Sequence, residues 1–336
     1  ISCLAIGTII TMSGYHWLFA WLGLEINTLA MIPIITKPHH PRATEAATKY
    51  FLTQATAAIL ILCASTINAK YTGQWTITNI SHSPALIMLT IALAMKLGLA
   101  PVHAWFPEVL QGATTTTALV LSTWQKLAPL TLLLLNTNLP LNILLPLGTF
   151  SALWGGLAGL NQTHLRKIMA FSSIANMGWI AVALTQDKAL TTMTLSVYII
   201  TTVPIFTMLI ATTTKTLVDL ATTWLVTPTL LSLLMLSLFS LGGLPPLTGF
   251  TPKWLITNEL ITAELTPLAT TLMMTSLPSL FFYIRLAYLT TLTNPPGTTN
   301  AKHKWQQKPA YLKPLTITIA LTTLLLPMLP LMTPAT

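Results

Sequence analysis

The sequence predicts an all-α, polytopic transmembrane protein of about 11 helices, arranged as two inverted five-helix repeats with broken helices plus a final helix, in a single domain over 1–336. Three observations carry this expectation. Of the 336 residues, 53% are hydrophobic and only 7% are charged, with a mean hydropathy of +0.71. Apolar runs of around 20 residues recur along the whole chain, each able to cross a hydrocarbon core about 30 Å thick. A Gly/Pro pattern also occurs twice at the same internal spacing, inside two of those runs.

The expected spans, in order, lie at about 1–12, 15–36, 46–68, 84–111, 115–136, 141–160, 166–185, 190–214, 226–262, 266–290 and 312–333. The first reads as a fragment of a span, because Ile1 stands inside an apolar stretch without a starting Met or a basic n-region. The start is therefore expected to be truncated, and no cleavable signal peptide is expected. Between the last two spans, the polar stretch from Thr293 to Lys313, with Pro295, Pro296 and Gly297, reads as a surface loop.

The net charge of +9 does not indicate nucleic acid, because a nucleic-acid interface needs its basic residues clustered on a solvated domain. It marks topology instead. On an eleven-helix count Lys37, Arg42, Lys49, Arg166, Lys167, Lys215, Lys302, Lys304, Lys308 and Lys313 fall on one face, and only Lys70 and Lys188 fall opposite. The positive-inside rule then puts the N-terminus inside and the C-terminus outside. Arg285, near the inner end of its helix, is accounted for by snorkelling.

Gly98-Leu99-Ala100-Pro101, three residues, Trp105, one residue and Pro107 match Gly243-Leu244-Pro245-Pro246, three residues, Phe250, one residue and Pro252. The two copies lie five helices apart, and an odd separation means opposite crossing directions, so repeat one is placed at about 1–136 and repeat two at about 141–290, before a C-terminal helix at about 312–333. Proline and glycine in mid-span interrupt the backbone hydrogen-bond ladder. Irregular backbone at membrane depth is tolerated only where protein or water satisfies it, and paired interruptions point to an ion site near the midplane.

Four charges interrupt the apolar helices: Glu25, Lys96, Lys126 and Lys253. An ionisable group near the bilayer centre costs roughly 2.5 to 3.5 kcal/mol on insertion scales, so it faces a protein interior and serves ion movement, or else fixes helix packing as a buried ion pair. Lys96 stands two residues before the first break and Lys253 directly after Pro252 of the second, where the first copy has Glu108. His103, inside the first break, is a candidate proton relay and equally a candidate donor to a freed carbonyl. The remaining histidines, His16, His39, His40, His82, His164 and His303, read as interfacial or loop residues. Cys3 and Cys63 read as packing residues. The sequence carries no iron–sulfur, haem or zinc spacing, no phosphate loop and no nucleophile motif.

The stretches Trp21–Asn27, Pro41–Ala46, Lys49–Gln54, Ala94–Gly98, Trp124–Pro129, Asn161–Thr163, Arg166–Ala170 and Gly242–Pro246 closely resemble the subunit-2 family of mitochondrial NADH:ubiquinone oxidoreductase, respiratory complex I, over essentially the whole chain. That antiporter-like family belongs to the proton-pumping membrane arm. The resemblance implies that Glu25 is the charge-transfer glutamate, Lys96 its partner lysine, Lys126 the connecting lysine and Lys253 the lysine of the second broken helix, with Glu45, Glu108 and Arg42 outside that set. It implies a core subunit of a proton-translocating NADH:ubiquinone reductase, without a redox centre of its own. NADH, FMN, iron–sulfur clusters and ubiquinone are used elsewhere in the complex, and this chain is expected to bind no cofactor and no metal. Implied partners are other membrane-arm and accessory subunits and lipids including cardiolipin, in the mitochondrial inner membrane with the N-terminus on the matrix side and the C-terminus on the intermembrane-space side. On physical grounds alone a stand-alone proton/cation antiporter and a structural scaffold stay open, the latter disfavoured because a scaffold has no reason to keep charges at midplane.

Overall fold

The computed structural model describes residues 1–78, 80–138, 140–223, 227–292 and 315–324. The expected polar loop from Thr293 to Lys313, with Lys302, His303, Lys304 and Lys308, lies outside the described residues, as does most of the expected final span. The chain is helical, and among the described residues extended pairing is limited to two isolated bridges, His16 with Thr76 and His164 with Thr216.

Two compact units, Ile1–Ser151 and Ala152–Thr336, divide the chain. The first holds α1 (Ser2–Ser13), α2 (Trp17–Thr36), α3 (Pro41–Thr72), α4 (Ser83–Leu97), α5 (Trp105–Gly112), α6 (Thr115–Ser122), a 3-10 turn (Trp124–Lys126) and α7 (Leu127–Leu135). Helix α8 (Leu141–Gly159) begins in the first unit and ends in the second. The second continues with α9 (Leu165–Gln186), α10 (Lys188–Thr212), α11 (Leu217–Thr223), α12 (Pro228–Gly242), α13 (Phe250–Thr262), α14 (Thr266–Leu292) and α15 (Leu315–Leu324).

Seven of the described helical segments are long and apolar enough to cross a membrane: α2, α3, the run Thr115–Leu135, α8, α9, α10 and α14. The eleven expected spans exceed this number because two of them divide at glycine, into α4 with α5 and α12 with α13. Two more, α1 and α15, have only 12 and 10 described helical residues.

Local chemistry sets the helix ends. Histidine occupies the N-cap of α2, α3, α4 and α9, at His16, His40, His82 and His164. The imidazoles of His16 and His40 accept from the amides of Leu18 and Arg42, both at 3.2 Å. Each bond satisfies an orphan donor of a first turn. Pro41 opens α3 at a position where no N–H is needed. Helix α3 ends at Gly73, whose φ of 71° turns its amide back to the Ala69 carbonyl at 2.8 Å.

Backbones approach where side chains vanish, the packing device of a solvent in which burying apolar surface between helices gains little. In the first unit a Cβ on Gly7 would stand 2.9 Å from the Gly23 carbonyl, and a Cβ on Gly23 would stand 2.8 Å from that of Gly7, so α1 and α2 cross backbone to backbone. Gly112 seats α5 on α3, because a Cβ there would meet the Arg42 carbonyl at 2.6 Å and Ala46 Cβ at 2.7 Å. In the second unit Gly155 brings α8 equally close to Ala175 of α9. Arg285 does more than snorkel, since its Nη1 donates at 2.6 Å to the Leu160 carbonyl just beyond α8. Cys63 is half-buried, but Cys3 is exposed rather than packed.

Helix α11 starts with a capping box, in which the Asp219 carboxylate accepts from the Thr216 amide at 2.9 Å and the Thr216 hydroxyl accepts from the Asp219 amide at 3.3 Å. The Thr216 amide is the main cause holding the Asp219 carboxyl below its usual value of 3.8. A depressed folded-state pKa adds stability that is present above the unfolded value and lost as pH falls through the folded one. Asp219→Asn keeps an acceptor but cannot titrate. Amide exchange across Leu217–Thr223 should accelerate below about pH 4 in the parent and lose that acid dependence in the variant. Gly23→Leu should force α1 from α2 and lower stability by about 1–3 kcal/mol, read as a reduced Tm in detergent.

Candidate functional site

The two divided spans are built alike. At the first, Gly98 takes φ 73°, its amide bonds the Met95 carbonyl at 3.2 Å, and the Leu99 amide bonds that of Ala94 at 2.9 Å. At the second, Gly243 takes φ 85°, its amide bonds the Ser240 carbonyl at 3.0 Å, and the Leu244 amide bonds that of Phe239 at 3.3 Å. Both are Schellman terminations, and both leave carbonyls of the last turn without a partner in the helix.

Side chains reach the two last turns differently, the first at a carbonyl that Gly98 already meets. Trp105 Nε1 donates to the Met95 carbonyl at 3.1 Å across the first break. Its counterpart in the second copy, Phe250, has no N–H to offer. There the ammonium of Lys253 donates to a different carbonyl, that of Gly242, at 2.7 Å, and lies 5.8 Å from the centre of the Trp179 ring. Glu108, in the place equivalent to Lys253, turns outward to Lys49 at 2.6 Å, and Lys49 also binds Glu45 at 2.6 Å. That exposed triad ties α5 to α3 at the surface and stands apart from the buried charges.

Lys96, Lys126 and Lys253 are 6%, 2% and 9% exposed. Lys96 occupies the last turn of α4, just before Gly98. Lys126 ends the 3-10 turn between α6 and α7, with its ammonium 5.0 Å from the centre of the Phe106 ring. Since Phe106 follows Trp105 on α5, the residues that close the first break also face Lys126. Lys96 and Lys126 line one cavity of about 20 Å³, together with Asn27, Gln54, Gln125 and Tyr50. Its size suits one water molecule.

Glu25 is half-buried and accepts from the Thr28 hydroxyl at 3.1 Å. Thr28 lines the cavity, whereas Glu25 does not, and among the described residues no ion pair joins Glu25 to Lys96. His103 lies buried in the first break but is absent from the wall of this cavity. In the second unit Lys253 lines its own cavity of about 40 Å³ with Asn176, Thr194, Tyr198 and Thr201. A larger, mostly apolar hollow of about 680 Å³ opens beside Lys37 and Trp124 and is lined by none of the four charges.

The amides around the first cavity escaped the reading of the sequence. Asn27 lies two residues after Glu25, Gln125 directly precedes Lys126, and Gln54 interrupts the apolar face of α3. A polar amide inside an apolar helix was the available signal. Among the described residues no cluster of His, Cys, Asp and Glu is arranged to hold a metal ion.

Paired broken helices, each with a buried lysine, define a class: polytopic helical membrane proteins with an ion site built on interrupted spans. The model of the family described as NADH:quinone oxidoreductase/Mrp antiporter, TM, matches residues 14–279. That described as NADH dehydrogenase subunit 2 C-terminus matches residues 280–333. The chain is 52% identical over 335 residues to NADH-ubiquinone oxidoreductase chain 2 of Varanus melinus, covering 99% of this chain and 97% of the relative. It is 52% identical over 329 residues to the chain of the same name from Gallus gallus, covering 98% and 95%. A chain of respiratory complex I from Thermus thermophilus with bound aureothin superposes with a TM-score of 0.86 at 28% identity, over 99% of this chain and 78% of that one. A chain of the Mrp complex from Dietzia sp. DQ12-45-1b shares the fold, with a TM-score of 0.80 at 16% identity over 88% of this chain and 60% of that one. The chain belongs to the NADH:quinone oxidoreductase/Mrp antiporter membrane-subunit family.

The two glycines at the breaks separate backbone demands from side-chain demands. A Cβ at Gly98 finds its nearest neighbour at 3.5 Å, but at Gly243 it would press on Lys253 Cδ, Nζ and Cε at 3.0 to 3.2 Å. Gly98→Ala should carry only the strain of a positive φ, about 1 kcal/mol. Gly243→Ala should add displacement of the Lys253 ammonium from the Gly242 carbonyl. The outcome to measure is a lower Tm for Gly243→Ala than for Gly98→Ala, with the 2.7 Å contact lengthened in a high-resolution map of the variant.

Proposed function

We propose that this chain translocates protons as a core membrane-arm subunit of NADH:ubiquinone oxidoreductase, using Glu25, Lys96, Lys126 and Lys253. One observation carries the reading: two buried lysines, Lys96 and Lys126, share the wall of a water-sized cavity beside a helix break. A lysine held in such a place exchanges its proton through a neighbouring water far more readily than one locked in a salt bridge, because no fixed counter-charge holds the proton on it. Glu25 supplies the variable part. Moved toward Lys96 its carboxylate favours the ammonium, and moved away it lets the proton go.

Lys253 performs the corresponding step in the second unit. Its ammonium rests on the carbonyl freed by Gly243, so protonation state and helix-end geometry are coupled there. His103 remains a secondary candidate, since its place in the break suits a proton branch toward a surface. The like construction of the two breaks supports two inverted repeats within one antiporter-like domain, about 1–136 and 141–290.

The work is driven from outside this chain. Moving one proton against 100 mV takes about 2.3 kcal/mol, and none of the groups described here supplies it. Electron transfer from NADH to ubiquinone in other subunits is the source, with NADH, FMN, iron–sulfur clusters and ubiquinone held there and not by this chain. The chain is a multi-pass membrane protein that works in a complex with other subunits. Its membrane is the mitochondrial inner membrane, with the N-terminus toward the matrix and the C-terminus toward the intermembrane space, as the bias of basic loops favours. Accessory subunits, and cardiolipin at Lys37, Arg42, Arg166 and Lys167, complete its surroundings.

Lys96→Met in the assembled, reconstituted oxidoreductase tests this reading, because it keeps length and apolar fit while removing the charge. Assembly on a native gel with pumping or turnover lost by at least roughly tenfold is expected. An unchanged proton-to-electron ratio at full turnover would remove Lys96 from the mechanism and leave the buried charges a packing role.

A further inference from the structure

We infer that Asn27 is a positioning residue for proton transfer between Lys96 and Lys126, its amide fixing the water through which the two lysines communicate. The inference rests on the relay reading above and adds the group that holds the relay in place.

Asn27 is 1% exposed and lines the cavity shared by the two lysines. Its Oδ1 is turned toward Gln125 Nε2 at 3.5 Å, which leaves Nδ2 as the free donor of the amide. Among the described residues Nδ2 has no hydrogen-bond partner, and neither does the Lys96 ammonium. Two buried, unmatched donors on one wall are costly in a dry interior, by about 1–3 kcal/mol for the amide alone. A cavity of about 20 Å³ admits a single water, and a polar site with two to four partners is where such a water is held.

The hydrogen-bond arithmetic then orients that water. Its oxygen accepts from Lys96 Nζ and from Asn27 Nδ2, which commits both lone pairs. Its two hydrogens must therefore point to acceptors, and the cavity wall offers the nitrogen of Lys126 whenever that lysine has given up its proton, and the amide oxygen of Gln54, itself only 4% exposed. One N–H bond breaks at Lys96 as an O–H bond forms on the water, and another O–H bond breaks as an N–H bond forms at Lys126. The water is regenerated, and charge has moved from one lysine to the other. Asn27 takes no proton, because a carboxamide is neither an acid nor a base near neutrality. It acts by fixing the direction in which the water donates. Gln125, the residue before Lys126, orients Asn27 in turn, so the receiving lysine and the support of the relay come from one 3-10 turn.

The test uses the assembled oxidoreductase with Asn27→Leu, which keeps the branched shape and removes the donor. Turnover and pumping should fall roughly tenfold, the solvent deuterium isotope effect on turnover should rise, and density for the cavity water should vanish from a high-resolution map. Asn27→Ser, whose hydroxyl can donate and whose small size admits a further water, should restore most of the rate. Parent turnover and isotope effect in Asn27→Leu would overturn the inference, as would a rate loss with the isotope effect unmoved, which marks a purely structural asparagine. Lys96→Met measured alongside separates the two claims. If Lys96→Met stops pumping and Asn27→Leu does not, only the positioning role fails; if Lys96→Met pumps normally, the relay itself fails. Should Asn27→Leu not assemble, Gln125→Leu decides, with a raised isotope effect expected and an unchanged one overturning the role.

Discussion

A bilayer offers no water to a backbone carbonyl that has lost its helical partner, and the bonds that replace that partner at two places organise this molecule. At Gly98 and at Gly243 the chain turns left-handed, closes a Schellman motif and leaves its last turn with carbonyls to satisfy. In the first unit the Trp105 indole adds a second donor to the Met95 carbonyl, which Gly98 already meets, and in the second an ammonium takes the Gly242 carbonyl. The difference follows from one pair of substitutions within a shared pattern. The first unit has Trp105 and, three residues on, Glu108, which faces outward to Lys49. With Phe250 in place of Trp105, Lys253 turns inward and becomes the cap. A structural necessity of a broken span and a buried charge are thus met by the same side chain.

Much of this was legible in the sequence, and for definite reasons. The breaks are visible because the same Gly/Pro pattern recurs at the same internal spacing, and the buried lysines because charge is rare in mid-span. What escaped was whatever depended on side chains meeting across distant segments. Asn27 and Gln125 lie 98 positions apart, and no periodicity within α2 foretells a contact with the turn before α7. The 3-10 turn at Trp124–Lys126 was hidden inside what reads as a continuous apolar span. Arg285 looked like an ordinary helix-end arginine until the Leu160 carbonyl came within reach. The expected count of about 11 differs slightly from the seven long apolar helices described because two spans divide at their breaks and two have only short described helices.

The remaining polar groups show how the same solvent constraint is met without function. Serine and threonine hydroxyls throughout the helices bond back to carbonyls three or four residues earlier, as Thr11 does to Thr8 at 2.7 Å and Ser172 to Met169 at 2.8 Å. These bonds are local and complete, so such residues need no partner elsewhere. The Glu45–Lys49–Glu108 triad is satisfied at the surface, where exposed ion pairs are worth little more than the tether they provide. Among the buried polar atoms without a partner, which include Trp21 Nε1, Asn68 Oδ1 and Asn136 Oδ1, Lys96 Nζ and Asn27 Nδ2 are two that share one cavity wall.

That contrast bears on why a proton path should be built from a lysine beside a small cavity rather than from a buried ion pair. A salt bridge between Glu25 and Lys96 would hold the proton on the lysine and resist any transfer, since removing the proton would strand a carboxylate in a poorly solvated site. Glu25 instead accepts from the Thr28 hydroxyl and stays off the cavity wall. On the reading proposed above, the proton's route through this cavity is one water wide. Confining exchange to a single oriented water gives direction to the transfer and denies a leak. On the reading proposed above, the glutamate sets when the lysine releases its proton, and the geometry of the cavity sets where that proton goes.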